Sequence, residues 1–408
     1  MCKTLAAALL ALALLPATAL ARWPAPVALS DGAPVPGFAV GAVDDHARAA
    51  VSFPTTAGPR LGLLTADGAQ GTIPLAGVDQ LVRLRLAADG TVVGAGRTDT
   101  GEIPAGEEVH SQGCCWRPVL LRWRPGAATA AVTALDPALT ASYDVDDLAV
   151  DRAGTAYLAA SETPGYFTLE TSTLVARFPA AAGAPPEQHA LGARTNLLAF
   201  APAVRPGGAV LGWRAPRSQR LLRLGAAGAP LAPRPASLVR ARPAEDEEVA
   251  LAGSGRAVHA FRARGRLWVA VGGAPPRAVA PLAGDERGVV GDRWTLAAGA
   301  DGTVALASTF AHRVRLRTID PHGRMSALRD LGAWPGGLGP VVAVDGGGHA
   351  HVAWSAGATT LLVADRHGRH VVTTTEAAGI QQLAVSPRGA TLLLYGDGQR
   401  AFAQLATP

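Results

Sequence analysis

The sequence predicts an all-β chain folded as a β-propeller of eight four-stranded blades, on three observations. A short apolar run, a turn and a second apolar run recur eight times: AVDDHARAAVSF (42–53), RLAADGTVVGAG (85–96), LAVDRAGTAYLAA (148–160), PAVRPGGAVLGW (202–213), ALAGSGRAVHAF (250–261), LAAGADGTVALAS (296–308), VAVDGGGHAHVAW (342–354) and LAVSPRGATLLLY (383–395). The turns align on Ala47, Gly90, Gly154, Gly208, Gly255, Gly302, Gly348 and Gly389, at spacings of 43, 64, 54, 47, 47, 46 and 41 residues. A period in the forties with a Gly- or Asp-bearing turn in each unit marks stacked blades. Finally, no stretch between Arg22 and Pro408 sustains apolar residues at i, i+3, i+4, i+7; Gly and Pro interrupt the chain every 8 to 12 residues, as short strands require.

The first 21 residues read as a signal peptide. Lys3 supplies a positive start, Leu5 to Leu15 an apolar stretch, and Ala19-Leu20-Ala21 a small-residue cleavage pattern. That stretch is too short to span a bilayer, and Cys2 precedes it, out of place for lipid attachment. The expectation is a secreted, soluble product starting near Arg22, with no membrane association. Residues 22–408 then form a single propeller domain, because no Ser- or Thr-rich linker divides the repeats and each unit needs its neighbours to cover its apolar faces.

Within each unit the first strand is expected innermost, its Ala, Val and Gly suited to the crowded hub. The turn follows, carrying Asp-Gly (89–90, 301–302), Asp-Gly-Gly-Gly (345–348) or Ser-Pro-Arg-Gly (386–389), residues that tolerate positive φ. A larger second strand comes next, then a hairpin of third and fourth strands such as 221–233 or 315–328. The last unit is short: after LLLYGDG (392–398), AFAQLATP supplies a third strand and no fourth. WPAPVALSDG (23–32) is spare at the other end, so the N-terminal strand is expected to close the last blade and remove a sheet edge. Seven blades is the alternative if the first copy, with Ala47 where others have Gly, is not a blade.

LAVDRAGTAYLAA resembles the inner hairpin of NHL-type propellers, and LAVSPRGATLLLY is similar to the Ser-Pro-Asp-Gly strand pair of TolB-like propellers, with Arg388 where those repeats usually carry Asp. The resemblance covers about a dozen residues per repeat. It implies architecture alone and carries over no catalytic residue.

Net charge is +5 for the whole chain, with Lys3 the only lysine, so 36 arginines face 32 acids after residue 21. Arg83, Arg85, Arg122, Arg124, Arg313, Arg315 and Arg317 alternate with apolar residues. That pattern describes solvated strand faces, not a basic stripe with interleaved aromatics, and no nucleic-acid partner is expected.

Two intervals break the rhythm, Gly90 to Gly154 and Gly154 to Gly208. Their surplus is placed between second and third strands, Arg97 to Trp116 in blade 2 and Ser161 to Thr173 in blade 3. Such loops emerge on the same face as the connections between blades, so two adjacent blades would raise long loops on one rim. Binding residues gather on loops held by a rigid scaffold.

The first excursion holds Gly113-Cys114-Cys115-Trp116, with the only cysteines after residue 21. Export favours oxidation, as a vicinal disulfide or as intermolecular pairing. A vicinal ring would be strained and would add little by loop closure, so its use would be local stiffening beside Trp116. Eight-bladed quinoprotein dehydrogenases are similar in having a vicinal disulfide against their cofactor, but their Ala-x-Asp…Trp docking repeats do not occur here, and no cofactor is expected.

Around this plate stand Arg97, Asp99, His110, Glu162, Tyr166 and Phe167, aromatics beside carboxylates of the kind that grip a sugar. Asp79, Asp146, Asp147 and Glu248, read as equivalent positions of four blades, would ring the channel mouth. No EF-hand-like calcium loop or His-Glu-x-x-His motif occurs, and no metal is expected. The reading is a monomeric, non-catalytic propeller binding a protein or saccharide near Cys114–Trp116; the alternative is a glycan-active or quinone-dependent enzyme at the channel mouth.

Overall fold

The strand Thr391–Gly396, TLLLYG, is buried along its whole length. Successive side chains of a strand point to opposite faces, so such a strand needs an apolar neighbour on both sides. Leu392 and Leu394 pack with Ala49, Val51 and Phe53, whereas Leu393 and Tyr395 pack with Ala353, Leu361 and Val363. The same alternation recurs throughout: each buried cluster among the described residues straddles two consecutive sheets. No sheet buries its faces alone.

The computed structural model describes residues 23–29, 39–99, 116–135, 143–162, 172–181, 183–193, 196–202, 207–215, 218–225, 236–239, 247–251, 257–272, 274–281, 293–336, 339–373, 379–396 and 400–408. These residues form eight four-stranded antiparallel sheets and include no helix. The inner strands are Val40–Val43, Gln80–Leu86, Tyr143–Val150, Asn196–Pro202, Glu247–Leu251, Trp294–Ala298, Val341–Val344 and Gly379–Val385. Each contacts the next, and the last contacts the first. The chain is an eight-bladed β-propeller.

Ring closure follows the expected route. Blade 8 takes its inner three strands from the C-terminus, ending with Ala401–Ala406, and its outermost strand, Val27–Ala28, from the N-terminus. Val27 stands opposite Ala403 and Ala28 opposite Phe402.

Blade 1 is a true blade, which decides eight over seven. The five-residue bonding pattern of its turn matches the others: Asp44 N–H donates to Arg48 O and Ala47 N–H to Asp44 O, as Asp151/Thr155 and Gly154/Asp151 do in blade 3. The fourth turn residue is left-handed in each described copy, with φ of 80° at Gly90 and Gly154, 93° at Gly302 and 97° at Gly389. Ala47 adopts φ 54° at the same place and bears the steric cost a glycine avoids. This is a type I turn followed by a left-handed residue, a common connection of twisted hairpins.

One strand position differs from expectation. In blade 6 the fourth strand is Arg329–Ala333 and lies beyond the expected hairpin at 315–328. Asp320 is the reason: its carboxylate accepts the His322 and Arg324 N–H groups, so 320–324 closes as a turn, and Met325 makes only an isolated bridge to Ile319. In blade 4 the fourth strand is Ala236–Val239, likewise later than 221–233 suggests.

The two excursions fall where expected, between Val92–Asp99 and Trp116–Trp123 in blade 2 and between Ala156–Glu162 and Ser172–Phe178 in blade 3. Their roots share the face that carries the blade-to-blade connections, here called the upper face. The aligned turns occupy the lower face. Residues 1–22, including the expected signal peptide, lie outside the described residues, and no helix among those described is long and apolar enough to cross a membrane.

Candidate functional site

Arg97 organises the upper end of the seam between blades 2 and 3. It lies near the end of the second strand of blade 2, whose Val-, Ala- and Gly-rich body is buried. One guanidinium nitrogen donates to the Asp144 carboxylate of blade 3 at 2.9 Å, and another to Gln80 Oε1 at 2.7 Å. The guanidinium also lies 4.2 Å from the centre of the Trp116 ring, a cation–π contact with the first residue after the excursion. One side chain thus ties both roots of the first long loop to the neighbouring blade. Asp79 fixes the same root, its Oδ2 accepting the Asp99 N–H at 2.6 Å and the Thr98 hydroxyl at 3.2 Å.

Further down the inner strand of blade 3 the pairing register slips between Val145 and Asp147, leaving Asp146 as the extra residue of a β-bulge. The bulge breaks the alternation and turns Asp146 toward Ser161, whose hydroxyl donates to it at 2.5 Å. Burial pushes the Asp146 carboxyl up to about 6, against the pull of the Ser161 bond and with help from the neighbouring Asp144 and Asp147 charges. Asp147 faces Arg85 at 3.2 Å and Arg83 at 3.4 Å. These two arginines therefore meet a carboxylate across the seam, beyond the solvated role their pattern suggested.

The expected ring of four acids is corrected by this geometry. Asp79 precedes the inner strand of blade 2, Asp146 and Asp147 are neighbours in blade 3, and Glu248 belongs to blade 5. Three blades contribute, and Glu248 stands apart. Its Oε2 accepts the Leu296 N–H of blade 6 at 2.8 Å, and burial pushes its carboxyl up to about 7. Of the other expected site residues, His110, Cys114, Cys115, Tyr166 and Phe167, and with them the expected vicinal disulfide, lie outside the described residues. Glu162 ends the second strand of blade 3, its backbone opposite Tyr143, at the root of the second excursion. Arg97, Asp99, Trp116, Asp79, Asp146 and Asp147 cluster at one seam.

Sequence reasoning missed the buried turn acids of the lower face, one of which reaches the next blade. The buried Asp151 carboxylate accepts the N–H groups of Ala153 and Thr155 in its own turn, the Tyr157 hydroxyl, and the Gly208 N–H of blade 4. Buried Asp345 receives His349 Nδ1 at 3.1 Å and lies 3.6 Å from His351 Nε2, so the His-Ala-His pair serves a turn carboxylate. Asp as the first turn residue was the available signal. Among the described residues no three His, Cys, Asp or Glu side chains are placed to hold a metal ion.

No known family model matches the chain, and no curated protein matches it in sequence. Among solved structures it is similar to the Dos1 propeller, at 8% identity over 94% of this chain and 94% of that one, with a TM-score of 0.53. It is also similar to puromycin hydrolase, at 16% identity, a TM-score of 0.52 and 92% of this chain, spanning 60% of that enzyme's length. A third is prolyl oligopeptidase B from Galerina marginata bound to a 35mer substrate, at 8% identity, a TM-score of 0.50, 88% of this chain and 55% of that one. At these identities the likeness is one of fold. A ring of this kind is a scaffold for binding or for catalysis.

Proposed function

We propose that the protein is a secreted, non-catalytic binding propeller that engages a protein or saccharide on the upper face at the seam of blades 2 and 3. The observation that carries this reading is Arg97, which fastens the roots of the first excursion to Asp144 and Trp116. The roots of both excursions, on adjacent blades, share one rim, and a rigid base under loops is how scaffolds present binding residues. Asp79, Asp99, Asp144 and Asp146 give the base a carboxylate-rich character, suited to sugar hydroxyls or to basic groups of a protein.

The test is binding of the exported full chain to glycan and protein arrays, compared with Arg97→Ala and with a variant whose residues 163–171 are replaced by a Gly-Ser segment. The reading expects a hit that both variants weaken at least tenfold. Hits retained by both variants would sink it. N-terminal sequencing of the exported protein, with a start near Arg22 expected, tests secretion.

Catalysis at the channel mouth is favoured by one observation, the raised carboxyls of Asp146 and Glu248. They stand on blades 3 and 5, each engaged by the frame, and a hydrolase would need two acids flanking one bond. Glycosidase assays of Asp146→Asn and Glu248→Gln against the parent chain decide this reading.

A further inference from the structure

We propose a second site, for a small organic anion bearing a carboxylate or phosphate, in a cleft at the lower end of the same seam. The cleft encloses about 630 Å³, within the range of small-molecule sites. One wall is the face of the third and fourth strands of blade 2, where Leu120, Arg122, Ala131 and Thr133 project together by the two-residue alternation. The other wall is the turn at 152–154 and residues 178–181 and 183–184 of blade 3. Half of its lining residues are alanines and glycines, and their small volume is what leaves the space open.

The charge of the lining is unbalanced. Arg122 stands at the back, half-buried, donating to Gly154 O at 2.9 Å, Phe178 O at 3.2 Å and Pro179 O at 3.3 Å. All three partners are backbone carbonyls, so the guanidinium is held in place and not neutralised. Burial lowers its pKa, and Asp89 and Asp151 oppose this only through space. Arg124 and Arg152 are exposed at the rim, and among the described residues neither makes a hydrogen bond or an ion pair. Asp89 is the lone carboxylate of the lining, and both its oxygens are taken by Thr91, from the N–H at 2.9 Å and the hydroxyl at 2.9 Å. Three guanidinium groups thus meet one occupied carboxylate. Arginine forks match carboxylate and phosphate oxygens, and a partly desolvated cation gains most from an anion.

The site lies on the face opposite the long loops, so its failure leaves the upper-face reading untouched. The test is calorimetric titration of the full chain, at low ionic strength, with citrate, inorganic phosphate and neutral glycerol. Citrate or phosphate is expected to bind at millimolar or better, and the stronger of the two identifies the head group. Glycerol is expected to give no binding. The double variant Arg124→Ala/Arg152→Ala, altered only at exposed side chains, should lose affinity at least tenfold while keeping the parent's thermal midpoint within a few degrees. Arg124→Lys/Arg152→Lys should fall between, keeping the charge and losing the fork. Binding by neither anion, unchanged affinity in the double alanine variant, or equal binding of glycerol would each overturn the proposal.

Discussion

The seams on either side of blade 3 are built from the same repeat and are held in opposite ways. Between blades 3 and 4 the fasteners are buried. Asp151 is 4% exposed and reaches the Gly208 N–H, while the Tyr157 hydroxyl and the fully buried Arg177 both donate to Gly225 O. Arg177 also bonds Glu187. Between blades 2 and 3 the fasteners are half-exposed arginines: Arg97 above, Arg83 and Arg85 along the channel, and Arg122 below, with a cleft beside it. A polar group sealed away from water stabilises the ring only when it is fully bonded, and it is then unavailable to a ligand. A cation left half in water fastens weakly and stays available. The difference separates a buried, fully bonded seam from a half-exposed one, and the proposed recognition is assigned to the second.

The largest contrast should come from Asp151→Ala. The change strands the N–H groups of Ala153, Thr155 and Gly208, whereas the Tyr157 hydroxyl keeps Gly225 O, and the expected loss is about 3–5 kcal/mol in urea unfolding. An effect below about 1 kcal/mol would erase the distinction between the seams.

Next comes the pH dependence of Glu248, at the seam of blades 5 and 6. The group ionises near 4.5 when free and near 7 in the ring, so folding favours its protonated form. That contribution is complete below pH 4.5 and is lost as pH rises through 7. Glu248→Gln should therefore be more stable than the parent at pH 8, by up to about 3 kcal/mol, and match it near pH 4. Parallel pH profiles for the two proteins would contradict the burial.

The strands and lower turns were legible because their chemistry is local. Asp89-Gly90 and Asp301-Gly302 name a turn within a few residues, and the alternation in TLLLYG needs no distant partner to be read. The N-terminal closure was legible for a different reason: a three-strand remainder at one end and a spare strand at the other complete each other. Arg122 and Asp151 were opaque, since their partners lie 32 and 57 residues away on the next blade. The pairing of Asp146 with Ser161 was equally opaque, because a one-residue bulge leaves no clear trace in composition.

Arg97→Ala sharpens the comparison from the weaker side. Its ion pair with half-exposed Asp144 is screened by solvent, so the expected cost in stability is only about 1 kcal/mol, measured by urea unfolding. Its effect on upper-face binding should be the larger one. A loss matching that of Asp151→Ala would make the 2–3 seam as structural as its neighbour. The smallest effect is expected at Ala47→Gly, where relief of the left-handed strain offsets the added freedom of the unfolded chain, a net gain of about 0.5 kcal/mol. The reverse change, Gly302→Ala, should cost about 1 kcal/mol in the same assay.

Hydrogen exchange on the full chain, with and without the ligand that the arrays identify, bears most directly on where recognition happens. Protection should concentrate in 97–116 and 162–172, with blades 5 to 8 unchanged. Protection confined to blades 5 to 8, with those two segments exchanging as in the free protein, would show that the seam of blades 2 and 3 is not where this ring meets its ligand.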